Sequence, residues 1–166
     1  MRTNPFLDTF MWLTDVRWET FLYWALLAGS FALVRINWKA DPAQRSAENV
    51  TIWAVRVLIG SMWYQGSTWK LPLPYSDAFK FWLEQSGKYA SFEVVGDLVN
   101  KIMLPAIPFF GTVAYAVELF LAAALILGVC VRFAGLVGVG QTIFLWLSLY
   151  RAEHEWPWNY VFLMML

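Results

Sequence analysis

Two ionisable residues stand inside apolar stretches of this sequence, and a third closes one of them. Arg56 lies within the run from Val50 to Lys70, Glu118 within a run from about Ile107 to Cys130, and Lys70 ends the first run. An ionisable group at bilayer depth costs at least ~2.5–3.5 kcal/mol on insertion scales, so it should face other protein and not lipid. Two readings of these groups stand side by side. In one, they form an ion pair or hydrogen-bond network that fixes helix register. In the other, Glu118 is a proton-transfer group beside a quinone or other redox ligand.

Depth indicates which groups can meet. Counted from the cytoplasmic helix ends at 1.5 Å per residue, Arg56 lies ~9 Å in and Gln141 ~12 Å in, which makes them partners. Trp63 and Glu118 both lie ~20 Å in, so the indole N–H is expected to donate to the carboxylate. An Arg56–Glu118 bridge requires the arginine to stretch toward the bilayer centre. A second cluster is expected at the outer interface, where Trp69 and Lys70 end one span and Glu153, His154, Glu155 and Trp156 join two others. His154 reads as an interfacial polar residue, a hydrogen-bond donor to a quinone carbonyl, or the axial ligand of one pigment. It is the sole histidine, so bis-histidine haem is excluded, and mononuclear zinc of the usual kind lacks ligands. No P-loop, dinucleotide-binding turn or hydrolase elbow occurs; Gly135 to Gly140 lacks the strand-turn-helix setting of a dinucleotide loop. The chain therefore has no intrinsic cofactor motif.

The elements that must position these residues are helices in a membrane. Of 166 residues 60% are hydrophobic and only 14% charged, against about a quarter charged in a soluble domain. Several long apolar runs make this a polytopic integral membrane protein with room for one domain. Twelve cations balance twelve acids, so there is no basic field for nucleic acid. The lone Cys130 excludes an intrachain disulfide and reads as a small apolar residue.

Within the 50–70 run, Trp53, Arg56, Gly60, Trp63, Ser67 and Lys70 follow at steps of 3 and 4, one stripe of a helix. A stripe with cations, a glycine, a serine and indoles should face companion helices. Ala134, Gly138, Gln141, Leu145 and Ser148 form a similar stripe in a span of about residues 134–150. Residues 1–17 read as an interfacial segment and not a signal peptide. Residues 18–36 read as an additional transmembrane helix, and residues 50–166 as the main bundle. Asn49 is the expected cap of the second span; Asn49-Val-Thr51 matches a glycosylation sequon by chance. The 71–105 segment should hold two surface helices, one capped by Ser76 with Phe79, Trp82 and Leu83 on its inner side. The other is capped by Ser91, with Val94, Val95, Leu98, Val99 and Ile102 as its apolar face. A last span opening at Pro157 covers only ~15 Å by Leu166, half of the core, and so is expected to continue beyond the sequence given.

Charge sets the orientation. Arg35, Lys39, Arg45 and Arg132 share one side with Asp41 and Glu48, whereas seven cations and nine acids lie on the other. Short cation-rich loops stay cytoplasmic, so the 71–105 loop and His154 are expected outside the cell (inner) membrane. Eleven tryptophans read as interfacial belts and bundle packing, or as walls for a planar ligand.

Arg56-x-x-x-Gly60-x-x-Trp63-x-x-Gly66-x-x-x-Lys70-Leu-Pro72 resembles the first helix of DoxX/DoxD-like membrane proteins. Glu118, followed by an Ala/Leu-rich run into Leu127-Gly128 and Arg132, is similar to that family's second helix, and His154-Glu-Trp-Pro-Trp-Asn-Tyr-Val161 to the entry of its last. The resemblance covers about residues 50–166, and the longer loop after the lysine is closer to the DoxD branch. It implies a four-helix bundle, here with an extra N-terminal span; the Gly-rich C-terminal end of the family is absent from this sequence. It also implies likeness to the membrane subunit of thiosulfate:quinone oxidoreductase, which works with a smaller partner. The expected protein is an all-α membrane subunit of a larger electron-transfer complex, quinone-facing, with the redox chemistry on quinone or partner subunits. The alternative is a structural subunit binding lipid, carotenoid or chlorophyll-type pigment in a respiratory or photosynthetic complex. A small-solute carrier is disfavoured because no internal repeat or paired broken helices occur.

Overall fold

The computed structural model describes residues 4–152 and Met165, and every described element is helical. Helix α1 (Pro5–Thr14) starts where the Asn4 side chain accepts hydrogen bonds from the backbone N–H of Phe6 and Leu7. Helix α2 (Trp18–Ala40) ends at Asp41, whose carboxylate accepts from Ala43 N at 2.9 Å and starts a 3-10 turn, Pro42–Arg45. Helix α3 (Ala47–Thr68) is capped three residues before the expected Asn49. Ser46 is the cap, accepting from Asn49 N at 3.2 Å, while the Asn49 side chain reaches back to Ala43 O.

After Leu71–Pro74 come α4 (Asp77–Lys88), capped by Ser76 as expected, and α5 (Glu93–Leu98). A π-helical turn, Val99–Met103, leads to α6 (Ile107–Leu127) and then α7 (Val131–Ser148). Ser91 does not cap α5. Phe92 takes that place: the Ser91 backbone N–H donates to Leu147 O at 2.8 Å, and its Oγ is buried without a partner. The expected apolar face of α5 is also turned: Gly96 and Val99 are buried, while Val94, Leu98 and Ile102 are exposed. Gly96 permits this, since a Cβ there would stand 3.1 Å from Gly87 O.

Among the described residues three helices, α2, α6 and α7, are long and apolar enough to cross a membrane, and the chain is a multi-pass membrane protein. Helix α3 has 22 residues, about 33 Å at 1.5 Å per residue, but is less apolar. From Ile59 onward it is enclosed by protein, which removes the need for a lipophilic surface there. It runs antiparallel to α2: Tyr64 Oη donates to Glu19 O at 2.5 Å, Tyr23 and Ser61 hydroxyls pair at 3.1 Å, and Trp53 Nε1 donates to Ser30 Oγ at 3.0 Å. Ser30 Oγ in turn donates to Ile126 O at 2.6 Å, so α2 packs on α3 and α6 together and is part of the bundle, not a lone addition to it.

The closest approach is between α3 and α6, also antiparallel. A Cβ on Gly60 would lie 2.7 Å from Ile126 Cγ1 and 3.2 Å from Ala122 O, so only glycine admits the two backbones at this separation. The whole stripe from Trp53 to Lys70 is turned inward, with Gly60, Trp63, Ser67 and Lys70 buried and Val50, Ile52, Val55 and Leu58 on the opposite side exposed. On α7 the second stripe is likewise inward, with Ala134, Gly138 and Ser148 buried.

One end of the bundle gathers the remaining segments. Thr9 donates to Gln65 at 3.1 Å and Gln65 donates to Asp8 at 3.0 Å, holding α1 against the C-terminal end of α3. Arg151 N donates to Tyr89 O at 3.0 Å, which ties the end of α7 to α4. The outer face of α1 leaves Leu7, Phe10 and Met11 exposed. The expected last span from Pro157 lies outside the described residues.

Candidate functional site

Lys70 and Glu118 form a buried ion pair where the C-terminal end of α3 meets α6. Each is only 3% exposed. Helix direction brings them together. Every Cα–Cβ bond leans toward the N-terminus of its own helix, and in an antiparallel pair those leanings converge for residues placed one turn apart. Gly66 is level with Glu118: a Cβ there would lie 3.4 Å from Glu118 Oε2. Lys70, one turn further on, bends back, and its Nζ donates to Gly66 O at 2.7 Å and to the carboxylate. The third direction of the ammonium is closed by the Trp69 ring, whose centroid lies 4.2 Å from Nζ.

The chain reversal behind this lysine is fixed by Ser76 Oγ, which donates to Trp69 O at 2.8 Å. That contact seats Phe79 of α4 beside Trp69, ring centroids 6.3 Å apart. Removing one member of a buried ion pair leaves an uncompensated charge and costs about 3–5 kcal/mol. The arrangement therefore persists only because the glycines of α3 and the α4 segment close around it.

The pair stands in the wall of a cavity of about 510 Å³, between α3, α4, α6, α7 and the π-helical turn. Its lining is mainly apolar and aromatic, including Trp63, Trp69, Phe79, Phe110 and Phe144, with Gln65 and Gln141 as further polar side chains. A pocket of that size, with few convergent polar groups, suits one small or ring-shaped molecule.

Five residues singled out from the sequence, Trp63, Trp69, Lys70, Glu118 and Gln141, border this one cavity. Their pairings differ from expectation. Gln141 does not partner Arg56; it faces the cavity, while Arg56 turns the other way. Leaning toward the N-terminus of α3, its guanidinium lies against Gly128, the residue that ends α6 with φ 78°. A cation there is favoured by the carbonyl end of α6, and a Cβ on Gly128 would stand 2.6 Å from Arg56 Nη1. Arg56 is consequently remote from Glu118, and its Nε is buried without a partner.

Trp63 Nε1 does not donate to Glu118 either; it too is buried without a partner. Lys70, expected at the interface beside His154, is instead the partner of Glu118. Depth counted at Cα positions misses this, because both side chains lean across a full turn to meet. The signal was present in the spacing: Lys70 continues the inward stripe by one more step. Phe79 is expected on the inner side of its helix, but Phe110 and Phe144 carry no such signal, because nothing local marks the three as facing one another. His154 and Trp156 lie outside the described residues.

Residues 52–151 match the model of the DoxX family, a span that contains the pair, the cavity and the glycine contact. No curated protein and no solved structure matches the chain.

Proposed function

The chain belongs to the DoxX family, and from that premise we propose that it is the membrane subunit of an electron-transfer complex whose cavity receives a quinone ring. The DoxD-like features of the sequence support this reading, with thiosulfate:quinone oxidoreductase as the nearest kind of complex. The observation that carries it is the Lys70–Glu118 pair, an acid and a base buried in the wall of an aromatic cavity. Such a pair within a membrane bundle marks a proton path or a ligand site more often than a surface feature does.

The residues fit the group. Aromatic walls accept a flat ring, and the polar groups are few. Bound there, a quinone would supply the electron-accepting ring, and partner subunits would supply the electrons. This chain would hold the ring between Trp63, Trp69 and Phe144, keep bulk water out, and hold a proton at the Glu118 carboxylate beside the Lys70 ammonium. Gln141 would orient the ring from α7.

The test is Glu118→Gln in the complex purified from its native membrane. The amide can still accept from Lys70 Nζ, so the partners should remain assembled by size-exclusion chromatography while quinone reduction is lost. Unchanged turnover would overturn the proton-transfer role. Bound carotenoid or chlorophyll-type pigment with no quinone reduction in the native complex would assign the protein to structural subunits.

A further inference from the structure

Three side-chain N or O atoms among the described residues are buried and lack a hydrogen-bond partner: Arg56 Nε, Trp63 Nε1 and Ser91 Oγ. Only one of these residues, Trp63, lines the cavity. Buried donors in folded proteins are nearly always paired, and an unpaired one calls for a physical explanation. Trp63 is 3% exposed, so its indole N–H is shielded from bulk solvent.

Three further donors that line the cavity are already committed. The Lys70 ammonium is spent on Gly66 O, Glu118 and the face of Trp69. Gln65 donates to Asp8, and Ser86 donates to Trp82 O at 2.9 Å. Gln141 also lines the cavity but is only half-buried, so among the described lining residues Trp63 Nε1 is the buried donor that a bound oxygen would satisfy without breaking another bond.

We propose that Trp63 Nε1 is the group that reads the ligand, donating to a carbonyl-type oxygen on a flat apolar ring, and that Trp63 thereby determines specificity for oxygenated over plain hydrocarbon rings. This rests on the cavity being a ring-binding site. It adds which atom of the protein selects the ring and which chemical group the ring must carry. The indole is a positioning residue: it fixes the ring oxygen and takes no part in proton transfer, since an indole N–H is a donor only.

The experiment pairs two ligands of nearly the same shape with two proteins. Menadione (2-methyl-1,4-naphthoquinone) and 2-methylnaphthalene are titrated by calorimetry into the purified full chain in detergent, as wild type and as Trp63→Phe. Comparing the ratio of the two affinities between the two proteins cancels the partitioning of each ligand into micelles. That ratio should fall roughly tenfold from wild type to Trp63→Phe, the size of one hydrogen bond to a buried donor. An equal ratio in both proteins would overturn the assignment while leaving the ring site intact. Binding of neither ligand to the wild type would remove the ring site and the assignment together. Should Trp63→Phe fail to fold, the infrared carbonyl stretch of menadione bound to the wild type decides: a downward shift relative to micelles supports the hydrogen bond, and an unshifted band refutes it.

Discussion

Lys70 Nζ and the Glu118 carboxylate, 48 residues apart in sequence, meet inside the bundle with Gly66 O and the Trp69 ring completing the shell around the ammonium. Neither helix could keep its charge buried alone, so the pair and the α3–α6 contact stabilise each other.

That mutual dependence should appear as coupling. Lys70→Met alone, or Glu118→Leu alone, is expected to destabilise the protein by about 3–5 kcal/mol, because each leaves an unpaired buried charge. The double variant, with neither charge, should regain most of that loss. Thermal unfolding in a single detergent, followed by circular dichroism, measures all four proteins. Strict additivity of the single effects would mean that the two groups do not interact.

The two glycines of α3 should respond differently. Gly60→Ala forces a methyl to within 2.7 Å of Ile126 Cγ1, and a backbone oxygen at 3.2 Å stands behind it. Overpacking of that kind costs about 1–3 kcal/mol. At Gly66 the nearest atom is Glu118 Oε2 at 3.4 Å, an ordinary contact. Gly66→Ala should leave stability within about 0.5 kcal/mol, as the contact is offset by better helix propensity. The same unfolding assay ranks them, and a greater loss for Gly66→Ala would contradict the packing described for α3 and α6.

Topology gives a third test. The α4 end and the α7 end are joined by Arg151 N to Tyr89 O, so both belong to one face of the membrane, and the 3-10 turn and Cys130 to the other. In right-side-out vesicles, with Cys130 replaced by alanine, a membrane-impermeant maleimide should label Lys88→Cys and leave Gln44→Cys unlabelled. The charge distribution predicts this outer placement of the 71–105 loop. Labelling of Gln44→Cys alone would invert the orientation, and equal labelling of both would break the topology.

Much of this architecture is legible in the residues themselves. The steps of 3 and 4 from Trp53 to Lys70 identify the inward face of α3, because a helix repeats every 3.6 residues whatever surrounds it. Apolar length marks the spans, and Ser76 marks the start of α4, because hydropathy and capping are local properties. Ser46 stands where Asn49 is expected, with the Asn49 side chain turned to Ala43 O, and Phe92 stands where Ser91 is expected, with the Ser91 backbone paired to the distant Leu147.

The partner of Glu118 was a different kind of question. Depth along separate helices points to Trp63, yet the ion pair depends on which way side chains lean once two helices run antiparallel at the distance Gly60 permits. The cavity is further still from the sequence, since Trp63, Phe79, Phe110 and Phe144 come from four helices and adjoin only after packing. Local periodicity determined which faces of this protein turn inward; only the tertiary structure decided which groups on those faces meet, because the reach of a side chain across a helix interface is a property of the pair and not of either strand of sequence.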